Sequence, residues 1–386
     1  MKYTESRKLE QGVIYSPAMR ESFDLNPELI YLNSGNLSLC PRKVNQALER
    51  YHREFESNPT VGLKEAWGKL WESQCALADF LSARPEDLFL KTNVTQVLNS
   101  FLLGLPLEKG SEMLVGELEY GAIVNVCRLR AERDNLSWRV LKLPTNVVAT
   151  RRATADSLLE NILSQLGPKT RLVLLSHVIG GTGLVLPIRE IGKALRRRNV
   201  FFVVDGAYAP GALSVDFRDL EEVDCYGSSL YKFLLGPKGT AFGWVSPLRQ
   251  PLLQPLQAGW GTRSGFLGKS EFQNKFILSG CQDFPPFFAI KDTLEFWKEQ
   301  GAEKIRARMH ALRTYLRNHC RWELLRSEDE ALNGPLLAFK GSIPDLYETH
   351  RIQAHPLEIQ GSQYLVFSPH IYNTEEELQR VLDVLR

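Results

Sequence analysis

Two short segments of the chain carry residue types that could do chemistry at a ligand site. The first, VVDGA at 203–207, places Asp205 at the exit of a run of apolar residues that predicts a buried strand. The second, GSSLYK at 227–232, ends on Lys232 and is followed by the glycine-rich GPKG at 236–239. A carboxylate at a strand end and a lysine between an apolar flank and a glycine-rich loop suit a cofactor that needs both groups.

Pyridoxal 5′-phosphate (PLP) is such a cofactor. The amine of Lys232 would hold it as a Schiff base, be displaced by an amino substrate that forms an imine in its turn, and then move the proton at the substrate's α-carbon. Asp205 would keep the pyridine nitrogen protonated, and burial would favour the nucleophilic form of the lysine. The alternative interpretation is an ordinary strand-end aspartate in another doubly wound fold, with an unrelated lysine later in the chain.

The surrounding sequence predicts the elements that position these residues. Near-continuous apolar runs alternate with helical patterns, which indicates a mostly parallel sheet covered by helices on both faces, an α/β fold. Ligands of such sheets bind at the carboxyl ends of the strands. The predicted strands are 88–92, 112–115, 172–175 and 201–204, and the predicted helices include 43–57 and 188–198.

The pattern changes at about residue 286. We predict a large domain over 25–285 and a smaller α+β domain over 286–386, with the segment 1–24 packing near the smaller one. The smaller domain is expected to contain one long helix, Ala289–Cys320, then weaker strands and a final helix, Thr374–Arg386.

Composition excludes several classes of function. Of 386 residues, 47 are Lys or Arg and 45 are Asp or Glu, so the charge balance predicts neither nucleic acid nor an anionic membrane as a partner. The six cysteines show no zinc-binding spacing, so we predict no metal site and reduced thiols. The first residues lack the apolar stretch of a signal peptide, and no run approaches the ~20 apolar residues of a membrane span. These features predict a cytoplasmic protein.

Motifs along the chain resemble the class V aminotransferase family of fold-type I PLP enzymes. The resemblance is greatest to the branch that holds isopenicillin N epimerases and cysteine desulfurases. Besides the segments of Asp205 and Lys232, the matching motifs are IYLNSG at 30–35, TNVTQ at 92–96, EYGA at 119–122, SHV at 176–178 and SPHIYNTEEE at 368–377. Their order and spacing carry the resemblance from about residue 25 to the C-terminus.

The resemblance implies a role for each matching residue. Backbone N–H groups at a helix start suit a phosphate dianion. A homodimer whose partner chain completes the site is also implied, with a small amino compound as substrate. The implied cofactor-binding residues are Val94, Thr95, Ser229 and Tyr231 at the phosphate, Tyr120 stacked on the ring, and His177, Tyr208, Asp205 and Lys232 around it.

Three departures from the family pattern concern the substrate and the cofactor's surroundings. Val366 stands two residues before Ser368, where the family has an arginine for the substrate's α-carboxylate. The family's Gly-Thr-Arg-Asp-like segment is GCQD at 280–283, and Ile179 replaces an asparagine. Arg suits a carboxylate because its planar fork donates two parallel hydrogen bonds, which valine cannot do.

These departures leave three interpretations open. Another cation, Arg263 or Arg351, holds the carboxylate; or the substrate is an amine or an amino acid with a blocked carboxylate; or the protein binds PLP without catalysis. The preferred function is an aminotransferase or epimerase-like enzyme, and a C–S or other β-elimination lyase is the alternative. In this family, cysteine desulfurases carry the persulfide on a loop cysteine that precedes the final conserved segment. Residues 340–367 contain no cysteine, so persulfide-type cysteine desulfuration is disfavoured.

Overall fold

The structure is a computed structural model that describes residues 17–264, 268–276 and 280–386. The strands of the described residues are β1 Ile30–Tyr31, β2 Leu88–Lys91, β3 Glu112–Gly116, β4 Ser137–Leu141, β5 Thr170–Ser176, β6 Phe201–Asp205, β7 Cys225–Ser229, β8 Ala241–Val245, β9 Leu324–Leu325, β10 Leu337–Lys340, β11 Ile352–Gln353, β12 His355–Ile359 and β13 Ser362–Phe367.

The α-helices of the same residues are α1 Pro17–Glu21, α2 Arg42–Ser57, α3 Pro59–Leu81, α4 Val94–Gly104, α5 Gly121–Asp134, α6 Val147–Arg151, α7 Ala155–Ser164, α8 Ile188–Arg196, α9 Gly261–Ser264, α10 Glu271–Phe276, α11 Pro285–Phe288, α12 Ile290–Gln300, α13 Ala302–His319, α14 Leu346–His350 and α15 Glu375–Val384. Among them, none combines the length and the apolar composition that a bilayer crossing needs.

A seven-stranded sheet forms the centre of the fold, in the order β2-β8-β7-β6-β5-β3-β4. The five neighbouring strands β4, β3, β5, β6 and β7 are parallel to one another. Strand β8 is antiparallel to both of its neighbours, β7 and β2. Val203 and Val204 are both fully buried, but they pack in different apolar clusters on the two faces of the sheet. The sheet is therefore covered on both sides, as the continuous apolar runs predict.

The register of this sheet gathers several strand ends at one edge. Ser176 at the end of β5 pairs with Asp205 at the end of β6, and Asp205 pairs with Gly227 in β7. Since β2 and β7 both run antiparallel to β8, β2 also ends at this edge, and α4 begins just beyond it. The residues that follow these strands are thereby brought together.

A smaller antiparallel sheet, in the order β12-β13-β10-β9, lies in the C-terminal part of the chain. One face, with Leu337 and Phe367, packs against Leu312 of α13 and Leu378 of α15. The other face, with Val366, joins the apolar cluster that also covers the central sheet. This second face is turned toward the larger part of the molecule, and the predicted boundary near residue 285 stays a prediction.

The predicted single helix Ala289–Cys320 is wrong. Gly301 divides it into α12 and α13, because its φ of +80° is a left-handed value that a continuous right-handed helix does not contain. The final helix is found where it is expected, shortened to Glu375–Val384 and begun by a capping box between Thr374 and Glu377.

The predicted location of the segment 1–24 is only partly covered by the structure, since residues 1–16 lie outside the described ranges. Arg20, in α1, forms an ion pair with Glu377 of α15 at 2.6 Å, and it also donates to the backbone oxygen of Tyr372. The described part of the segment thus contacts the C-terminal region.

Gly211, in the loop after Asp205, packs closely against the backbone that follows Lys232. Its φ is +90°, and a Cβ atom at this position would lie 2.5 Å from the carbonyl oxygen of Phe233. A larger residue would therefore force the two site-forming segments apart.

We expect Gly211→Ala to lower the melting temperature more than Gly239→Ala. Gly239 also has a positive φ, +78°, but no atom of the described ranges lies within 4 Å of a Cβ there. Its substitution carries only the conformational cost, about 1–2 kcal/mol, whereas Gly211→Ala adds a backbone clash. Thermal unfolding of both variants measures the difference, and equal melting temperatures would contradict the close packing of the two loops.

Candidate active site

Asp205 ends β6 and is buried at the carboxyl edge of the central sheet. Its Oδ1 accepts a hydrogen bond of 2.8 Å from the backbone N–H of Ala207. Burial raises the pKa of the Asp205 carboxyl, while the Ala207 amide and the charge of Lys232 lower it. The loop geometry thus supports a negative charge at a place where burial alone would disfavour it.

Lys232 lies in the turn that follows β7. Its Nζ is 4.0 Å from the centroid of the Tyr208 ring. Burial lowers the pKa of the Lys232 amine, and the charge of Asp205 acts in the opposite direction. The two residues that the sequence singles out are therefore close enough to influence each other's protonation, and the amine is shifted toward its neutral, nucleophilic form.

The backbone around Lys232 is fixed from several directions. Within the turn, the N–H of Leu235 donates to the carbonyl oxygen of Lys232 at 3.0 Å. The carbonyl oxygens of the neighbouring residues accept from distant parts of the chain: Tyr231 from the Ser38 N–H, Phe233 from His370 Nε2 and Leu234 from Trp297 Nε1. Both the N-terminal and the C-terminal regions thus hold this turn in place.

Two tyrosines adjoin the lysine. Tyr208 lies against Gly180, where a Cβ would come within 3.1 Å of the tyrosine ring. Tyr120, at the start of α5, has a side chain that is 64% exposed, and its charge would raise the pKa of both Lys232 and Tyr208. Tyr120 therefore lies at the mouth of the site, with its ring available to cover a ligand.

His177 follows β5 and is tied to Asp205 by a backbone hydrogen bond of 2.8 Å. Its Nδ1 lies 3.0 Å from the hydroxyl oxygen of Tyr226, a contact that the sequence did not predict. The tyrosine ring occupies the space beside Gly206, where a Cβ would be 2.1 Å from it. Burial lowers the pKa of His177 to about 4, so the imidazole is neutral at physiological pH.

The start of α4 offers donors for an anion. Asn93 caps the helix, and its Oδ1 accepts from the N–H of Gln96 at 2.9 Å. The preceding amides, those of Val94 and Thr95, have no intrahelical acceptor because they belong to the first turn. With the helix dipole they suit a phosphate group.

Ser229, at the end of β7, tests whether a phosphate fits here. Its Oγ is fully buried and has no hydrogen-bond partner within the described residues. By contrast, the neighbouring Ser228 Oγ donates to the carbonyl oxygen of Gly206 at 2.9 Å. A buried unpaired hydroxyl is rare in native proteins and points to a missing partner. A phosphate oxygen would satisfy it, so the donor set fits PLP. Tyr231 is half-buried nearby, within electrostatic range of Lys232.

A further residue of the site, Glu119, was overlooked in the sequence. Its Oε1 lies 2.6 Å from the N–H of Ser176 and its Oε2 lies 2.6 Å from the Ser176 Oγ. Burial, and then the negative charge of Asp205, raise the pKa of Glu119 to about 8. The EYGA motif includes Glu119, but its contact with Ser176 depends on the pairing of distant strands.

Neither candidate arginine for the substrate's carboxylate has a contact with Asp205 or Lys232 in the described part of the chain. Arg351 lies over the Tyr347 ring at 5.5 Å, in a surface pocket that also contains Arg380 and Asp383. Arg263 is exposed in α9, next to residues that lie outside the described ranges. Both assignments stay predictions that the geometry does not support.

Replacement of Ser229 by alanine should separate cofactor binding from stability. Removing an unpaired buried hydroxyl costs no hydrogen bond, so the cofactor-free variant should be at least as stable as the wild type. Its affinity for PLP should fall about tenfold or more, the worth of a hydrogen bond to a charged group. Fluorescence titration with PLP measures the affinity, and thermal unfolding measures the stability.

The matched control is Ser228→Ala, which breaks the bond to Gly206 and should destabilise the cofactor-free protein. A Ser229→Ala protein that is clearly less stable without PLP would contradict the absence of a protein partner for this hydroxyl.

Replacement of Glu119 by glutamine should change how stability depends on pH. The raised pKa means that the folded protein keeps a proton that the unfolded chain releases above about pH 4.5. The wild type should therefore lose stability relative to Glu119→Gln as pH rises from there to about 8, by up to about 1.4 kcal/mol per pH unit. Melting temperatures of both proteins without cofactor, measured from pH 5 to 9, test this; parallel curves would contradict it.

This chain is similar to known proteins both in sequence and in structure. The aminotransferase class-V family matches residues 30–327. Isopenicillin N epimerase from Amycolatopsis lactamdurans is 30% identical, over 95% of this chain and 97% of its own. A structure of C-DES with glycine covalently linked to its PLP cofactor has a TM-score of 0.84 at 24% identity and covers 95% of this chain and 98% of its own.

A second structure, the complex of the cystine C–S lyase C-DES with cysteine persulfide, has a TM-score of 0.83 at 24% identity and covers 93% of this chain and 97% of its own. These structures share the fold of this chain, an α/β fold of type I with a mostly parallel central sheet. The family match and the full-length relative go further than the fold: this chain belongs to the class-V aminotransferase family and is a PLP-dependent enzyme.

Proposed function

We propose that this enzyme binds PLP between Lys232 and Asp205 and inverts the configuration at the α-carbon of an amino acid or of an amino acid unit in a larger molecule. The proposal rests on two buried groups at one edge of the central sheet: the carboxylate of Asp205 and the amine of Lys232, whose pKa is lowered by burial. The amine nitrogen lies 4.0 Å from the centroid of the Tyr208 ring. The full-length similarity to an isopenicillin N epimerase supports inversion as the reaction.

PLP supplies an aldehyde for the amino group and an electron-accepting ring that makes the α-proton acidic. The protein has to hold that ring, and Asp205 is suited to do so because its buried charge can keep a proton on the pyridine nitrogen. The Ala207 amide and Lys232 both favour this charged form of Asp205. Its position at the end of β6 gives the carboxylate a rigid base.

Lys232 is the group that moves the proton. A neutral amine accepts the α-proton readily, and burial favours that form of Lys232. Return of the proton by Lys232 restores the starting configuration, so inversion requires a second proton donor, a protein acid or water, on the opposite face of the α-carbon. His177, neutral and held by Tyr226, offers a fixed polar contact beside Asp205 without adding a charge.

The phosphate-binding role is assigned to the start of α4 and the end of β7. The amides of Val94 and Thr95, the hydroxyl of Thr95 and the unpaired Oγ of Ser229 provide donors, and the phenol of Tyr231 is a further candidate. Tyr120, exposed at the mouth, is proposed to cover the cofactor ring. Strong anchoring at the phosphate leaves the other end of the cofactor free to react.

We also propose a homodimer in the cytoplasm. Large apolar side chains are exposed in one stretch of the chain, at Leu248, Leu252, Leu256 and Trp260. Exposed apolar surface of this kind is typical of a protein–protein interface.

The proposed cytoplasmic location is supported by the cysteines. All six cysteines are unpaired, which is typical of a reducing compartment.

Replacement of Lys232 by alanine should abolish the yellow colour that a PLP-loaded wild type is expected to have. The matched control is Lys238→Ala, which removes another lysine of the same loop whose pKa is also lowered by burial. Absorption spectra after reconstitution with PLP measure the effect. Equal loss of colour in both variants, or in neither, would contradict the assignment of Lys232.

The reaction type is read from the wild type incubated with L- and D-amino acids in deuterium oxide. Inversion predicts exchange of the α-proton together with interconversion of the two enantiomers. Loss of colour with release of a keto acid would indicate transamination instead, and pyruvate with a β-leaving group would indicate elimination. A spectrum that no amino donor changes would favour PLP binding without catalysis.

A further inference from the structure

The small sheet places a histidine directly beside the position where the expected arginine is missing. His355 begins β12 and pairs with Val366 of β13 in antiparallel register. Side chains of directly paired residues lie on the same face of a sheet, so the imidazole and the valine share one face. Val366 is 3% exposed and packs in the large apolar cluster, whereas His355 is exposed.

This face of β12 is turned toward the proposed active site. Leu357 and Ile359, which alternate with outward-facing residues after His355, lie against the loop that follows His177. A Cβ built on Gly181 of that loop would be 3.2 Å from Ile359 and 3.5 Å from Leu357. Because residues two apart in a strand point the same way, His355 also faces the site.

An electrostatic contact supports this placement. Although part of its surface reaches solvent, the partial burial of the imidazole lowers the pKa of His355, and the charge of Lys232 lowers it further. Lys232 therefore lies within electrostatic range of the imidazole, although more than a hundred residues separate them in the chain. Arg351 and Arg263 have no such relation to Lys232 in the described part of the structure.

We propose that His355 binds the acid group of the substrate in place of the missing arginine, so that the substrate is an amino compound with a free α-carboxylate. The inference rests on the proposed function and names the substrate class of the same site. The imidazole donates one hydrogen bond where a guanidinium donates two. Val366 and Leu357 form the apolar wall beside it.

The wall also limits what else can be bound. A carboxylate next to Val366 alone would lose its hydration without a donor, which is unfavourable. His355 supplies that donor on the same face, and its single hydrogen bond makes the recognition weaker and less directional than that of an arginine. An uncharged amide could use the same hydrogen bond, but less strongly than a carboxylate.

The experiment compares binding of an amino acid with binding of its amide. L-alanine and L-alaninamide, D-alanine and D-alaninamide, and the corresponding leucine pairs are titrated into PLP-loaded protein, and spectral shifts give the dissociation constants. His355→Leu should weaken binding of the acids about ten- to a hundred-fold and weaken binding of the amides much less. His355→Gln, which keeps an N–H donor, should retain part of the preference, and Val366→Arg should strengthen binding of the acids.

The control is His350→Ala, which removes a nearby histidine at the end of α14 and should change neither constant. Equal weakening of acids and amides by His355→Leu, or a wild type that binds no acid more tightly than its amide, would overturn the inference and leave the proposed function intact. A colourless wild type after reconstitution would overturn the proposed function itself.

A second measurement tests the geometry without cofactor. The pKa of the His355 imidazole is followed by NMR in the cofactor-free protein, with His355→Gln used to assign its signal. Lys232→Ala should raise this pKa because a neighbouring positive charge is removed, whereas Lys238→Ala should not. An unchanged value in Lys232→Ala would show that the imidazole does not face the lysine, and would overturn the inference.

Discussion

The electrostatic attraction between the buried carboxylate of Asp205 and the buried amine of Lys232 is the interaction around which the candidate site is organised. Burial opposes the charge of Asp205 and the charge of Lys232, and each partner partly offsets that cost for the other. Each group is therefore stabilised by the other nearby, and the charge of Asp205 is also stabilised by the N–H of Ala207. The parallel sheet meets this requirement because its register ends β6 and β7 at the same edge. The register of the sheet thus sets the position of the site, and the loops that follow the strands supply its remaining residues.

Much of the fold could be predicted because it follows from local patterns. Strands buried on both faces show as unbroken apolar runs, as in residues 201–204 of β6, and the final helix shows its capping residues in the sequence. The break at Gly301 was missed because glycine also occurs inside helices, and only its positive φ reveals a boundary. The identity of a glycine alone therefore does not predict whether a helix ends there.

The candidate site divides in the same way. Asp205 and Lys232 could be found because each is marked by its own neighbours in the chain. Glu119 and His355 could not, because their importance arises from pairings between distant strands: Glu119 contacts Ser176, and His355 lies opposite Val366. Arg263 and Arg351 were suggested as binders of the substrate's carboxylate by their charge alone. The pairing of β12 with β13 points instead to the imidazole of His355.

The anchoring of the turn around Lys232 has a consequence for movement during turnover. Carbonyl oxygens on both sides of the lysine accept hydrogen bonds from Ser38, His370 and Trp297, which belong to three separate parts of the chain. The main chain there is consequently a stationary support, and the terminal nitrogen can change position only by rotation about the four methylene bonds of its own side chain. Such rotations are faster than the rearrangement of a loop. In the proposed reaction, release and recapture of the Lys232 amine therefore need no movement of the main chain in this turn.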